Sequence, residues 1–217
     1  GLGDVYKRQQ DKLKMRAKMD ELGLPNPTWR EVADTDSLQA FGDEIGWPII
    51  VKTPRGGYDG HGVKLINSAD EAADWFGKGP LLAEEAVDFT RELSVMVGRS
   101  PMGQTAVWPV VATLQEGGIC TEAVAPAPDL DPAKAQAITA DVLTVAESLG
   151  VTGVMAMEMF ETADGYMVNE LAMRPHNTGH WTQDGSITSQ FEQHLRAILD
   201  LPLGDPAPKA PVTGTAE

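Results

Sequence analysis

The sequence predicts an α+β fold of two subdomains, a small one bearing a glycine-rich lid and a larger one with a mixed sheet. Three observations carry this. Helical stripes and strand-like runs succeed one another without the βαβ rhythm of a Rossmann-type sheet. Neighbouring strand-like runs are joined by short polar turns, as hairpins are. The 217 residues, 42% hydrophobic and 23% charged, have ordinary globular composition and length enough for a real core.

Residues 1–10 do not join smoothly to the segment from Asp11 onward and are set aside from fold reasoning. Asp11 can cap a helix in which Met15, Met19 and Leu22 form one apolar face, and Gly23 and Pro25 stop it. "PIIVKT" reads as a covered strand and "GVKLI" as its hairpin partner, with the glycine loop of "KTPRGGYDGHGVKL" at the tip. "SADEAADWF" starts a helix with a Ser cap and acids in its first turn. "PLLAEEAV", "ELSVMVG", "TAVWPVVATL" and "ICTEAVAP" read as strands, with "SPMG" as a turn. Asp131 caps the clearest helix, Pro132 opens it, Ile138, Val142, Val145 and Leu149 form its stripe, and Gly150 ends it. "TGVMAMEMF" and "GYMVNELAM" flank "ETAD", and a last helix runs from about Thr188 to Leu199. A seam falls near 82–87. The division is therefore 1–10, a lid subdomain with its leading helix over 11–83, a larger subdomain over 84–204, and an extended tail over 205–217.

The composition also excludes partners. A formal charge of −15 disfavours nucleic acid, whose phosphates repel an acidic surface. No apolar run approaches the ~20 residues of a membrane helix. The single Cys120 cannot form an internal disulfide and reads as a small core residue, which fits a reducing, cytoplasmic setting. An acidic chain can still bind a small polyanion if its cations converge, and Lys12, Arg16, Lys52, Lys64 and Arg174 are the candidates.

Two acids stand out within strand-like runs. If the hairpin turns through Ala163, Asp164 and Gly165, Glu158 lies opposite Glu170, each six positions from Asp164. Facing carboxylates are unfavourable alone, and a divalent cation reverses that, with Asn169 adding an amide oxygen. The plainer reading, one acid in solvent and the other paired with an arginine, stands beside it. So do a mobile turn for the glycine loop, a solvated Lys52, and partly buried His176 and His180. Met155, Met157 and Met159 read as core filler. Trp47, Trp75, Trp108 and Trp181 read as core or interface anchors, with Trp181 an alternative pocket floor.

Six blocks in order, "DKLKMRAKMDELGLPNP", "GWPIIVKTPRGGYDGHGV", "LLAEEAVDFTREL", "GVMAMEMF", "VNELAMRPHNTGHWT" and "SQFEQHLRAILDLPLG", resemble the ATP-grasp family of N5-carboxyaminoimidazole ribonucleotide synthetases. The resemblance implies an ATP-grasp fold in which the two α+β subdomains grip a nucleotide. It implies ATP with Mg²⁺ or Mn²⁺, the substrates aminoimidazole ribonucleotide and bicarbonate, an ADP-forming carbon–nitrogen ligase of purine biosynthesis, and a full-length homodimer. Lys12 and Lys52 match nucleotide-contacting cations. Gly57, Tyr58, Asp59, Gly60, His61 and Gly62 match the lid, Tyr58 and Asp59 reaching the substrate. Glu84, Glu85, Ala86 and Val87 match the segment that holds adenine by its backbone, and Glu92 the acid on the ribose. Glu158 and Glu170, with Asn169, match the metal-binding residues. Arg174, His176 and Asn177 match the group that positions bicarbonate or carboxyphosphate.

The chain departs from the family in places. His61 replaces a lid arginine, Gln115 stands where a histidine is expected, and Met173 replaces a proline. The family also carries a preceding α/β domain and a small C-terminal domain, neither of which this sequence contains. Two other readings remain: another ATP-grasp ligase joining a carboxylate to an amine, and a non-catalytic nucleotide-binding module.

Overall fold

The structure is a computed structural model and describes residues 11–56, 62–117 and 119–216. In chain order the elements are α1 (Lys12–Glu21), β1 (Trp29–Val32), α2 (Thr35–Ile45), β2 (Ile49–Lys52) and β3 (Val63–Ile66), then a 3₁₀ helix (Ala69–Lys78) and β4 (Leu81–Glu85). After them come β5 (Arg91–Arg99), β6 (Thr105–Val107), β7 (Val111–Glu116), β8 (Ile119–Ala125), α3 (Pro132–Ser148), β9 (Gly153–Glu161) and β10 (Tyr166–Ala172). A short 3₁₀ turn (Asn177–Gly179), α4 (Thr182–Gly185), α5 (Gln190–Ile198) and β11 (Thr213–Ala216) complete the chain.

Among the described residues the strands form two sheets. The smaller has the order β1-β4-β2-β3, and the larger runs β10-β9-β5-β7-β8-β11 with β6 on β5. The larger sheet is expected to be mixed; every described pairing in it is antiparallel. Half of these pairings, β5–β6, β7–β8 and β9–β10, join consecutive strands as hairpins, and hairpins pair antiparallel.

Strand alternation explains how each sheet covers a core and also faces a cleft. In the small unit, Ile49, Val51, Leu81 and Ala83 point into a core with Leu38 and Phe41 of α2. Their neighbours Ile50, Lys52 and Glu84 point to the opposite face. In the large unit, Met155, Met157 and Met159 pack with Ile138, Val142 and Val145 of α3, so the methionines are core filler as read. Burying one such side chain contributes roughly 1.5–3 kcal/mol. Glu158 and Phe160 alternate with them along β9 and face the cleft.

The caps at Asp11 and Asp131 are present: Asp11 accepts from the Lys14 amide, and Asp131 from those of Ala133 and Lys134. Other readings are corrected. The segment after Ser68 is a 3₁₀ rather than an α-helix, and the Ser68 side chain makes no cap hydrogen bond. "TAVWPVVATL" is two strands, because Pro109 has no N–H to give the ladder and buried Trp108 turns inward to the Thr188 carbonyl. The tail is extended, and its end forms β11 against β8. The leading helix α1 packs Met15 and Met19 into the larger core rather than that of the lid unit. Elements β1 and α2 carry no expectation from the sequence reading. Yet Asp34 and Ser37 form a reciprocal capping box at the start of α2.

Candidate active site

A cavity of about 670 Å³ opens between the two sheets. Of the site residues expected from the sequence, Lys12, Lys52, Glu84, Glu85, Ala86, Val87, Glu92, Glu158, Asn169, Glu170, Arg174, His176 and Asn177 all line it. Gly62 does not; it closes the base of the β2–β3 hairpin, where its carbonyl accepts from the Thr53 amide at 2.9 Å. Gly57, Tyr58, Asp59, Gly60 and His61 lie outside the described residues. Gln115, where a histidine is expected, also lines the cavity.

Glu158 and Glu170 are directly opposed on β9 and β10, so both side chains stand on one face. The path to this register differs from the symmetric count. Thr162 and Gly165 exchange backbone hydrogen bonds, leaving a two-residue loop of Ala163 and Asp164. That loop alone would set Glu158 against Asn169. A register shift between Val168 and Glu170 inserts Asn169 as a bulge and brings Glu170 into line. Burial, Glu170 and Glu92, in that order, push the Glu158 carboxyl up to about 7. Burial also raises Glu92. The cavity floor thus concentrates negative charge that a cation would relieve. Among the described residues no three Asp, Glu, His or Cys side chains form a metal cage by themselves. Two opposed carboxylates nevertheless suit a cation that draws its remaining ligands from water and a bound anion.

Across the cavity, Lys52 is buried by the small sheet. Its Nζ lies 2.7 Å from Glu84 Oε2 and 3.2 Å from Asn169 Oδ1. Desolvation lowers its ammonium, offset in part by Glu84. Burial alone would raise the Glu84 carboxyl, but Lys52 and Arg16 together hold it low. Of the other cations considered, Lys12 and Arg174 reach the cavity. Arg16 is buried behind it, bonded to Glu84, and Lys64 donates to the Glu71 carbonyl instead.

The loop after β10 carries the remaining polar groups. The His176 amide donates to Gln190 Oε1 and its carbonyl accepts from Gln190 Nε2, both at 2.7 Å, which ties the loop to α5. His176 Nδ1 lies 3.0 Å from Thr178 Oγ1, and its Nε2 lies 3.6 Å from Glu158 Oε1. Burial, followed by Arg174 and His180, lowers the imidazole to about 4. Near neutral pH His176 is therefore uncharged and its contact with Glu158 is not an ion pair.

An apolar wall, unmarked by the motifs, completes the cavity. Phe89 and Phe160 stack with centroids 4.6 Å apart at 24°, beside Ile50, Val63 and Leu65. The available signal is an aromatic close to each acid, in "DFTREL" and "MEMF". The cavity can thus offer an apolar wall to a flat ring and cations and carboxylates to a charged group.

The model for the ATP-grasp domain matches residues 17–191. The N5-carboxyaminoimidazole ribonucleotide synthase of Mycobacterium tuberculosis is 50% identical over 210 residues, covering 94% of this chain and 49% of the relative. The crystal structure of N5-carboxyaminoimidazole ribonucleotide synthetase from Thermus thermophilus superposes with a TM-score of 0.88 at 36% identity, over 96% of this chain and 57% of that one. An Aspergillus clavatus N5-carboxyaminoimidazole synthase in complex with ADP and 5-aminoimidazole ribonucleotide gives 0.81 at 32%, over 93% and 54%. The chain thus spans about half the length of the curated relatives it matches. With the matched residues taking in every strand from β1 to β10 and the facing acids between them, the chain belongs to the ATP-grasp family.

Proposed function

We propose that this chain forms the nucleotide-gripping part of a ligase that carboxylates 5-aminoimidazole ribonucleotide with bicarbonate. ATP phosphorylates bicarbonate to carboxyphosphate, releasing ADP. The exocyclic amine then attacks the carboxyl carbon, phosphate leaves, and N5-carboxyaminoimidazole ribonucleotide remains. The observation that carries this reading is one cavity holding Lys52, the opposed Glu158 and Glu170, and the Arg174–His176–Asn177 group together. The half-identical relatives of that name support it.

In this reading Lys12 and Lys52 hold the phosphates, where a mobile ammonium suits a group that moves during turnover. The backbone of Glu84, Glu85, Ala86 and Val87 holds adenine near the Phe89–Phe160 wall, and Glu92 accepts from the ribose. Glu158, Glu170 and the Asn169 amide oxygen would hold Mg²⁺ or Mn²⁺, which supplies charge neutralisation at the phosphates. Arg174 presents a planar guanidinium to the planar oxyanion. His176, uncharged, orients by hydrogen bonding rather than by charge. Tyr58 and Asp59 are assigned to the substrate by the resemblance alone. A cytoplasmic location and a homodimeric full-length enzyme belong to the same reading and rest on the resemblance.

The test is ADP release by the intact enzyme. It should require bicarbonate and aminoimidazole ribonucleotide together. Release with a different amine and carboxylate would assign another ligase. Nucleotide binding without turnover in the intact enzyme would leave only a binding module.

A further inference from the structure

Arg16 is fully buried, on a helix face that also carries Met15 and Met19. A buried guanidinium persists only when its donors find acceptors. Its Nε donates to Glu84 Oε1 at 2.5 Å, and Nη1 to Asn26 Oδ1 at 2.8 Å and to the Val168 carbonyl at 2.5 Å. Its Nη2 donates to the Asn169 carbonyl at 3.1 Å. The second Glu84 oxygen takes Lys52, and Lys52 in turn donates to Asn169 Oδ1. Four residues therefore close a ring: Arg16, Glu84, Lys52, Asn169, and back to Arg16. The ring joins α1, two strands of the small sheet and the bulge of the large one. Lys52, Glu84 and Asn169 line the cavity, while Arg16 stands behind them.

This arrangement settles a conflict over Lys52. Its ammonium is claimed by Glu84 and, in the reading above, by an incoming phosphate. Were Lys52 the sole counter-charge of Glu84, the phosphate could take it only by stranding a buried carboxylate. Arg16 grips the other Glu84 oxygen, so Glu84 stays paired when Lys52 turns away. We infer that Arg16 is a positioning residue, which frees Lys52 for an anionic ligand by holding Glu84 and the Asn169 bulge from behind. This rests on the nucleotide reading and adds to it the residue that makes Lys52 available.

The experiment is a double-mutant cycle read by titration calorimetry with MgADP, on the unaltered chain, Arg16→Met, Glu84→Gln and the pair. Arg16→Met should weaken ADP by about tenfold or more, because Glu84 then keeps Lys52. Adding Glu84→Gln should recover most of that loss, because a neutral amide releases the ammonium. A purely structural Arg16 predicts the reverse, with the pair at least as weak as Arg16→Met alone. Thermal unfolding checks that each form is folded. If Arg16→Met is not, Arg16→Lys, which keeps the charge without the fork, becomes the first arm and the sign of the second step still decides. Further loss or no change at that step overturns the inference, while ADP binding by the unaltered chain leaves the functional reading intact. No ADP binding by the unaltered chain overturns that reading and this inference with it.

Discussion

Replacing Glu158 with Gln should make the metal-free chain more stable, and increasingly so as pH rises. In the fold the Glu158 carboxyl is raised from its ordinary 4.5 to about 7, chiefly by burial and then by Glu170 and Glu92, with Arg174 and Lys52 offsetting only part. A raised carboxyl binds more protons folded than unfolded between those two values. Its contribution to stability therefore falls as pH climbs from 4.5 and is fully lost above 7. At 1.36 kcal/mol per pH unit, that rise corresponds to about 3 kcal/mol. Gln keeps the shape and cannot ionise. The variant's advantage over the unaltered chain should grow by about 3 kcal/mol between pH 4.5 and pH 8. For a chain of this length that is a gain of about 6–12 °C in Tm. The assay is urea unfolding of both forms in chelator across that pH range. Titrating groups common to both cancel in the difference. A gap that does not change with pH would refute the reasoning, as would a less stable variant at pH 8. Adding MgADP should then invert the order, stabilising the unaltered chain and not the variant.

Other expectations come from the same site and core. Arg174→Lys in the intact enzyme should spare ATP affinity and cut carboxylation; a large loss of ATP affinity would move Arg174 to the nucleotide. The imidazole of His176 is lowered from 6.5 to about 4, mainly by burial. The unfolded chain therefore takes up its proton first, and stability should fall by about 3 kcal/mol as pH drops through that window. His176→Asn should flatten that acid limb in urea unfolding, and an unchanged limb would show that His176 titrates normally. Gly42→Ala places a methyl group against the Trp47 indole inside α2. Helix propensity favours Ala by about 1 kcal/mol, but overpacking costs about 1–3 kcal/mol, so denaturant unfolding should show a net loss.

What the sequence makes legible is what depends on local pattern. The stripe Ile138–Val142–Val145 and its Asp131 cap can be read because helix period and cap chemistry are local, and both are found. The place of β1 beside β4, and of β11 on β8, cannot be read. Those pairings join residues far apart in the chain, and "TGTA" offers backbone hydrogen bonds without an apolar stripe. The single run through Trp108 and Pro109 misleads because β-branched composition outweighs one missing N–H until the chain is folded. Apart from the acid pair, the cleft residues are legible only through motif order, since nothing local tells which strand face meets the other sheet.

The acid pair shows how spacing and structure can agree by different routes. Counting from Asp164 sets Glu158 against Glu170, and they do face each other. The turn, however, is centred between Ala163 and Asp164, so an unbroken ladder would set Glu158 against Asn169 and turn Glu170 to the other face. The bulge repairs the register, and it needs support, because an extra residue breaks the ladder locally. That support is Arg16, whose guanidinium takes the carbonyls of both Val168 and Asn169. The same side chain takes Glu84 from the other sheet. One buried arginine thus links the geometry of the two facing acids to the lysine opposite them. This is why an unusual charge in an apolar stripe points to the site and is not a fault in the core.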